Sequence, residues 1–263
     1  MGQYGSGVAL TIDFSEQVVL VTGGTKGIGR GIAQRFEDAG ATVVVCARSI
    51  PDGLPPSWAT YAVDLRQPDQ IEELFNGIRG RFGRLDVLVN NAGGSPPADT
   101  AVSSPNFDQK IMAVNFFAAM WCSQAANKIM QAQANGGSII NIGSVSAERP
   151  APTVAAYGAA KAALANFTRT VGQEWLPKVR TNIVTVGMVR TELAHLHYGD
   201  EEGVRRTGAQ IPIGRLATPE EVGDVCVFFA SQLAGYVSGA SLAVHGGGDW
   251  PPFLDTPYRE TGR

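Results

Sequence analysis

Short runs of apolar, mostly β-branched residues recur along the chain, separated by longer stretches of mixed polarity. Runs that are apolar at nearly every position are typical of strands buried on both faces of a parallel sheet. We predict strands at residues 18–22, 41–47, 85–91, 137–144 and 179–186. The stretches between them have the length and composition of helices, which we predict at residues 27–39, 70–82, 106–133 and 153–174. This alternation predicts an α/β fold: a single Rossmann-like, doubly wound parallel sheet with helices on both faces.

Two segments depart from this alternation. Residues 50–60 contain three prolines where a crossover helix would be expected, so we predict a loop there. Residues 190–210 form a polar insertion after a strand, and we predict that they are a lid over the substrate.

Length and composition limit the class of protein. A chain of 263 residues suits one large α/β domain spanning residues 1–263, with an N-terminal extension at 1–14 and a C-terminal tail at 250–263. The net charge of −3 and the lack of a basic cluster argue against a nucleic-acid or membrane partner. No apolar run has a bilayer-spanning length, so a cytoplasmic protein is expected. Three isolated cysteines in apolar surroundings predict buried thiols.

A glycine-rich turn follows the first strand and opens the first helix. Gly23, Gly27 and Gly29 allow a tight turn and a close approach of the backbone to a phosphate, and the helix N-terminus adds N–H donors. The spacing is G-x-x-x-G-x-G, which differs from the usual dinucleotide fingerprint. Its position between strand and helix nevertheless predicts a dinucleotide site.

Charge at the end of the second strand indicates which dinucleotide binds. A carboxylate at the end of the second strand accepts the ribose 2′-hydroxyl of NAD, whereas a cation accommodates the 2′-phosphate of NADP. Here the strand ends in Arg48, and Lys26 adds a cation in the glycine loop. The sequence therefore predicts a preference for NADP(H), with NAD(H) as the alternative.

A tyrosine and a lysine lie one helical turn apart, after a serine that ends a strand. Tyr157 and Lys161 share one helix face, and Ser144 precedes Tyr157 by thirteen residues. An adjacent ammonium favours the phenolate, so Tyr157 is predicted to exchange a proton with a carbonyl or alcohol oxygen.

These motifs together resemble the short-chain dehydrogenase/reductase family over residues 11–249. The resemblance is carried by the sequences TGGTKGIG at 22–29, Asp64-Leu65, NNAG at 90–93, Val114-Asn115, Ser144, YGAAK at 157–161, IPIGR at 211–215 and TPEE at 218–221. It implies a metal-independent oxidoreductase in which Tyr157 is the general acid/base and Ser144 orients the substrate oxygen. Lys161 would bind the nicotinamide ribose and lower the pKa of Tyr157, and Asn115 would hold a water in a proton relay.

The resemblance also implies the contacts of the cofactor: Asp64 and Leu65 with adenine, residues 91–93 with the adenosine ribose, and Val189 with Thr191 at the nicotinamide carboxamide. The full set predicted to bind the cofactor is Gly23, Thr25, Lys26, Gly27, Ile28, Gly29, Arg48, Asp64, Leu65, Asn91, Ala92, Gly93, Tyr157, Lys161, Val189 and Thr191. One departure is Val186, which stands where the family usually has proline before Gly187.

The substrate is predicted from the side chains expected around the reacting atoms. Val145, Ser146, Met188, Leu193 and Leu196 are predicted to line the pocket, which favours a hydrophobic, alicyclic or steroid-derived, secondary alcohol or ketone. A 3-oxoacyl thioester reductase and a catalytically silent NADP-binding sensor are the alternatives.

Metal ligation and assembly are the remaining expectations. His195, His197 and His245 lack suitably spaced carboxylate or thiol partners, so no metal is predicted. The family pairs two helices across a subunit interface. An apolar stripe on the helix at 106–133 and the alanines around Tyr157 therefore predict a homodimer or homotetramer. The segment at residues 250–254 could pack at another interface or beside the substrate.

Overall fold

The computed structural model describes residues 11–250, in which seven parallel strands form one sheet in the order β3-β2-β1-β4-β5-β6-β7. The strands are β1 (Val18–Thr22), β2 (Thr42–Ala47), β3 (Ala59–Ala62), β4 (Val87–Asn90), β5 (Gly137–Ile142), β6 (Val179–Val186) and β7 (Ser241–Val244). The predicted doubly wound α/β sheet is confirmed. The prediction missed β3 and β7 as strands, because each has only four residues and carries exposed positions.

The helices cover both faces of the sheet. They are α1 (Gly27–Asp38), α2 (Pro68–Phe82), α3 (Pro105–Met112), α4 (Ala118–Ala132), α5 (Ala155–Glu174), α6 (His195–Tyr198), α7 (Glu201–Gly208) and α8 (Pro219–Ala230). A π-helical turn at Ala113–Phe117 joins α3 to α4, so the predicted long helix has a wider turn at its centre. Residues 48–58 form turns without a helix, as the prolines predicted.

Successive side chains along each buried strand point to opposite faces of the sheet, so the core has two layers. On β1, Val19 and Val21 pack with α1 and α8, whereas Val18 and Leu20 pack with α2 and α4 on the other face. All three cysteines are buried and free, in agreement with the prediction. Among residues 11–250, no helix is long and apolar enough to cross a membrane.

The strand order places the site. The chain leaves β1 toward β2 and β3, and then returns to add β4 on the other side of β1. The loops at the carboxyl ends of β1 and β4 therefore part at this point, which is where doubly wound sheets bind ligands. The motifs at 22–29, 90–93 and 144 all follow the carboxyl ends of neighbouring strands.

Candidate active site

The glycine loop is built for close backbone approach. Gly23 and Gly27 have φ values of 63° and 54°, in the left-handed region that glycine tolerates best. A Cβ on Gly29 would lie 2.3 Å from the carbonyl oxygen of Gly23, so the loop closes on itself at this position. Beside these glycines, Thr25 is buried, Ile28 is half-buried and Lys26 is exposed.

The loop after β4 is tied to the glycine loop. The hydroxyl of Thr22 accepts hydrogen bonds from the backbone N–H groups of Asn91 and Ala92, each at 3.0 Å. The amide of Asn91 donates to the carbonyl oxygens of Thr22 and Gly23, at 2.9 and 3.2 Å. The two loops that were predicted to bind the cofactor therefore form one connected surface.

The loop also accepts an anion. The backbone N–H of Gly27 donates to Oε1 of Glu192 at 3.0 Å, and this N–H is at the first residue of α1. A carboxylate on a helix N-terminus shows that the donor is directed outward and that the local field favours negative charge. The residues present therefore fit the pyrophosphate of a dinucleotide.

Opposite charges meet after β2 and β3, at residues that the sequence predicts to bind the cofactor. Arg48 is exposed after β2, and Asp64 is half-buried after β3. Arg66 donates to both oxygens of Asp64, with Nη2–Oδ2 at 2.5 Å and Nε–Oδ1 at 2.9 Å. These hydrogen bonds lower the pKa of Asp64, and the charge of Arg48 lowers it further. Leu65 is buried beside them. Arg66 could not be identified from the sequence, because an i, i+2 pair in a loop has no helical or strand spacing.

Ser144, Tyr157 and Lys161 are brought together by β5 and α5. Ser144 follows β5 and accepts a hydrogen bond from the N–H of Ser146 at 3.2 Å. A hydrogen bond also links its hydroxyl to Tyr157. Nζ of Lys161 lies 5.7 Å from the centroid of the Tyr157 ring and donates to the carbonyl oxygen of Ile142 at 2.7 Å.

Burial controls the ionisation of the pair. It raises the pKa of Tyr157, an effect that the hydrogen bond with Ser144 opposes, and it lowers the pKa of Lys161 to about 8. The expectation that Lys161 lowers the pKa of Tyr157 is not met in this geometry. The physical reason is that desolvation dominates, while the ammonium of Lys161 is directed to the Ile142 carbonyl.

Asn115 lies in the π-helical turn and holds the loop that follows β4. Its Oδ1 accepts from the N–H of Gly94 at 2.8 Å, and its Nδ2 donates to the carbonyl oxygens of Gly94 and Ile111, both at 2.9 Å. A Cβ on Gly93 would lie 2.6 Å from this Oδ1 and 3.4 Å from Nζ of Lys161. Asn115 and Lys161 thus both approach Gly93 from the side where a Cβ would stand.

A cavity of about 150 Å³ opens beside Val145, the residue that follows Ser144 in the chain. Val145, Met188 and Ile211 line it, and the first two are among the residues predicted to line a substrate pocket. Ionisable groups also line it, which the sequence did not indicate: Glu148, Arg149, His245 and Asp249. Arg149 and Asp249 form an ion pair. These residues come from separate loops, so no local motif could have identified them.

The other three residues predicted to line the substrate pocket are not part of the lining of this cavity. Ser146 donates its N–H to Ser144, whereas Leu193 and Leu196 are exposed and lie outside the lining of this cavity. The reason is that the segment at 190–208 is anchored through Ala194 and Val204, which form a small apolar cluster with Ile211 and Leu216. The side chain of His197 lies outside what the structure describes.

The segment after β6 reaches the glycine loop. Val189 is buried and bridges to Ala217, and the methyl group of Thr191 lies 3.6 Å from where a Cβ of Gly27 would be. Val186, in place of the family's proline, is the last residue of β6 and is paired with Val244. The sheet therefore holds the backbone at this position.

A dinucleotide-binding sheet with a serine, a tyrosine and a lysine at its switch point defines a nicotinamide-dependent oxidoreductase scaffold. Residues 23–248 match a family model described as enoyl-(acyl carrier protein) reductase. The chain belongs to the short-chain dehydrogenase/reductase family, whose members are oxidoreductases acting on CH–OH groups.

Named relatives cover nearly the whole chain. A 3α-hydroxysteroid dehydrogenase of Mediterraneibacter gnavus is 33% identical over 242 residues, covering 88% of this chain and 96% of that protein. A 3-oxoacyl-[acyl-carrier-protein] reductase of Salmonella typhimurium is 32% identical over 247 residues, with 90% and 98% covered. The ligand-free aldohexose dehydrogenase of Thermoplasma acidophilum superposes with a TM-score of 0.84 at 31% identity, with 89% and 95% covered.

Proposed function

We propose that the protein interconverts a secondary alcohol and a ketone with NADP(H). The observation that carries this proposal is the grouping of Ser144, Tyr157 and Lys161 at the switch point of the sheet, next to a loop that accepts an anion. The same grouping argues against a catalytically silent dinucleotide-binding sensor, which has no need of these three side chains.

The nicotinamide cofactor supplies or accepts the hydride when bound, and the chain's own residues move the proton. Burial raises the pKa of Tyr157, so its phenol holds a proton at neutral pH and can donate it from Oη to a carbonyl oxygen as that oxygen becomes negative. Ser144 orients the same oxygen through its hydroxyl. This protonation state suits reduction of a ketone, and alcohol oxidation requires Tyr157 to lose its proton first.

Lys161 and Asn115 support this proton transfer. Lys161 has a pKa of about 8, so most molecules carry its ammonium at neutral pH. It is proposed to bind the nicotinamide ribose and to stabilise the phenolate that forms after proton donation. Asn115, which approaches the same side of Gly93 as Lys161, is proposed to hold a water that returns a proton to the pair.

For the substrate, we propose a hydrophobic hydroxy or keto compound. Val145, Met188 and Ile211 offer apolar contacts in the cavity, and Val145 directly follows Ser144 in the chain. A cavity of about 150 Å³ is smaller than a pocket for a whole drug-sized molecule, so it accommodates the reacting end of a larger substrate. An alicyclic or steroid-derived compound agrees with the named steroid dehydrogenase. A 3-oxoacyl thioester is the second candidate, supported by the named acyl-carrier-protein reductase.

The preference for NADP(H) rests on Arg48. Replacing Arg48 by Asp is expected to lower kcat/KM for NADP⁺ by about 100-fold, because a charge-assisted hydrogen bond to the 2′-phosphate is lost and repulsion replaces it. The kcat/KM for NAD⁺ should change far less. Steady-state kinetics with both cofactors measures this, with Arg81→Asp in α2 as a matched control. Equal kcat/KM for the two cofactors in the wild type, and no effect of Arg48→Asp, would refute the preference.

We propose a homodimer or homotetramer as the assembly. Phe117 and Trp121 stack at 5.6 Å on the outer side of the long helix, and Phe117 is exposed. Phe116 and Phe167 continue this aromatic surface toward α5. Light scattering at micromolar protein concentration is expected to show at least a dimer, and a monomer would contradict it.

A further inference from the structure

The carboxylate of Glu192 lies on the N-terminus of α1. It accepts the N–H of Gly27 at 3.0 Å, and this N–H, in the first turn of the helix, has no acceptor within the helix. The positive end of the helix dipole is at the same place and attracts anions. Glu192 therefore places a negative charge where the glycine loop is equipped to hold a phosphate.

The backbone around Glu192 holds it there. The N–H of Arg190 donates to the carbonyl oxygen of Ala217 at 2.8 Å, which fixes the chain where it leaves the sheet. Beyond it, the N–H of Leu193 donates to Oγ1 of Thr191 at 3.3 Å and that of Ala194 to the Thr191 carbonyl at 3.0 Å. Residues 191–194 thus form a turn, and the side chain of Glu192 links this turn to the glycine loop through its hydrogen bond with Gly27.

We propose that Glu192 is an internal competitor of the cofactor. In the free enzyme its carboxylate holds the 191–194 turn against the glycine loop, and the pyrophosphate must displace it to reach the N–H of Gly27. Two anions at hydrogen-bond distance from one N–H repel each other, so they exclude one another there. This inference rests on the proposed function only in requiring a dinucleotide cofactor, either NADP(H) or NAD(H).

Displacement of Glu192 from Gly27 also affects the segment predicted to cover the substrate. The turn carries Thr191, which is proposed to contact the nicotinamide, and it leads into α6 and α7 of the polar segment. When Glu192 leaves Gly27, this segment loses a contact that holds it in its cofactor-free position. Cofactor binding and rearrangement of the segment that was predicted to be the lid are therefore linked in one equilibrium.

The test measures cofactor affinity without turnover. NADP⁺ and NAD⁺ are titrated by calorimetry into the wild type, Glu192→Gln and Glu192→Ala. Both variants are expected to bind both cofactors about two- to fivefold more tightly, because a charge at an exposed helix N-terminus has an effect of this size. The gain should be equal for the two cofactors, since they share the pyrophosphate. A failure of the NADP(H) preference therefore leaves this test intact.

A matched control separates the effect of the Glu192–Gly27 contact from the effect of removing one negative charge. Glu202→Gln removes the same charge from the same segment, and Glu202 hydrogen-bonds Arg205. It is expected to leave both dissociation constants within error of the wild type. Unchanged or weaker binding in the Glu192 variants, or an equal gain in Glu202→Gln, would overturn the proposal.

Hydrogen exchange gives a second readout on the free enzyme. The amides of Gly27 and of residues 191–194 are expected to exchange faster in Glu192→Ala than in the wild type, and Glu202→Gln should match the wild type. Unchanged exchange at these amides would show that Glu192 does not hold the turn, which would also overturn the proposal.

Discussion

Replacing Tyr157 by Phe is expected to lower kcat by about a thousandfold, since a positioned general acid contributes roughly 10²–10⁴ to the rate. The substitution removes only the phenolic oxygen, so the ring can keep its place beside Lys161. Cofactor affinity should remain close to that of the wild type, because the phenol acts on the substrate oxygen. Steady-state kinetics and a cofactor titration measure the two quantities separately.

Tyr61→Phe is the control for the Tyr157 substitution. Tyr61 is a half-buried tyrosine on β3, away from Ser144 and Lys161, and its loss of a hydroxyl should leave kcat unchanged. If Tyr157→Phe kept more than about a tenth of wild-type kcat, Tyr157 would not be the proton donor.

Replacing Lys161 by Met is expected to abolish turnover and to stabilise the free protein at neutral pH. Lys161 is 3% exposed, and burial lowers its pKa from 10.5 to about 8. A shift of this size corresponds to a cost of about 3 kcal/mol for keeping the ammonium charged in the fold. Methionine removes that cost but leaves the Ile142 carbonyl without its donor, which offsets about 1–3 kcal/mol of the gain. The net increase in the free energy of unfolding should be about 1 kcal/mol.

The pH dependence gives the sharper test of the Lys161 substitution. Between pH 8 and 10.5 the unfolded state holds the Lys161 proton and the folded state has released it, so the wild type gains stability as pH rises through this window. The Met variant lacks this gain. As pH rises, the difference in the free energy of unfolding between the two proteins should therefore shift in favour of the wild type. Denaturant unfolding at about pH 7 and about pH 10, at one protein concentration, measures it. The same difference in the free energy of unfolding at both pH values would contradict a lowered pKa of Lys161.

The fold and the grouping of the proposed catalytic residues could be predicted from the sequence because their signals are local. Continuous apolar runs predict buried strands, and the glycine spacing predicts a turn between a strand and a helix. Tyr157 and Lys161 are one helical turn apart, so their proximity follows from helix geometry alone. Only the order of the strands was then needed to bring Ser144 and the glycine loop to the same edge of the sheet.

Features that depend on the meeting of distant loops could not be predicted. The polar side of the cavity joins Arg149 after β5 with Asp249 after β7, which are a hundred residues apart. The contact between Glu192 and Gly27 spans 165 residues. The raised pKa of Tyr157 likewise depends on how deeply α5 packs, whereas the sequence shows only the nearby lysine.

We propose that this dinucleotide-binding site performs alcohol–ketone chemistry with NADP(H). The most direct measurement follows the ultraviolet absorbance of NADPH while the wild-type protein is mixed with a panel of ketones and 3-oxoacyl thioesters, and of NADP⁺ with the corresponding alcohols. We expect turnover on at least one hydrophobic ketone or secondary alcohol, at a higher kcat/KM with NADP(H) than with NAD(H). Tight, saturable NADPH binding with no turnover on any member of the panel would contradict it and indicate a sensor.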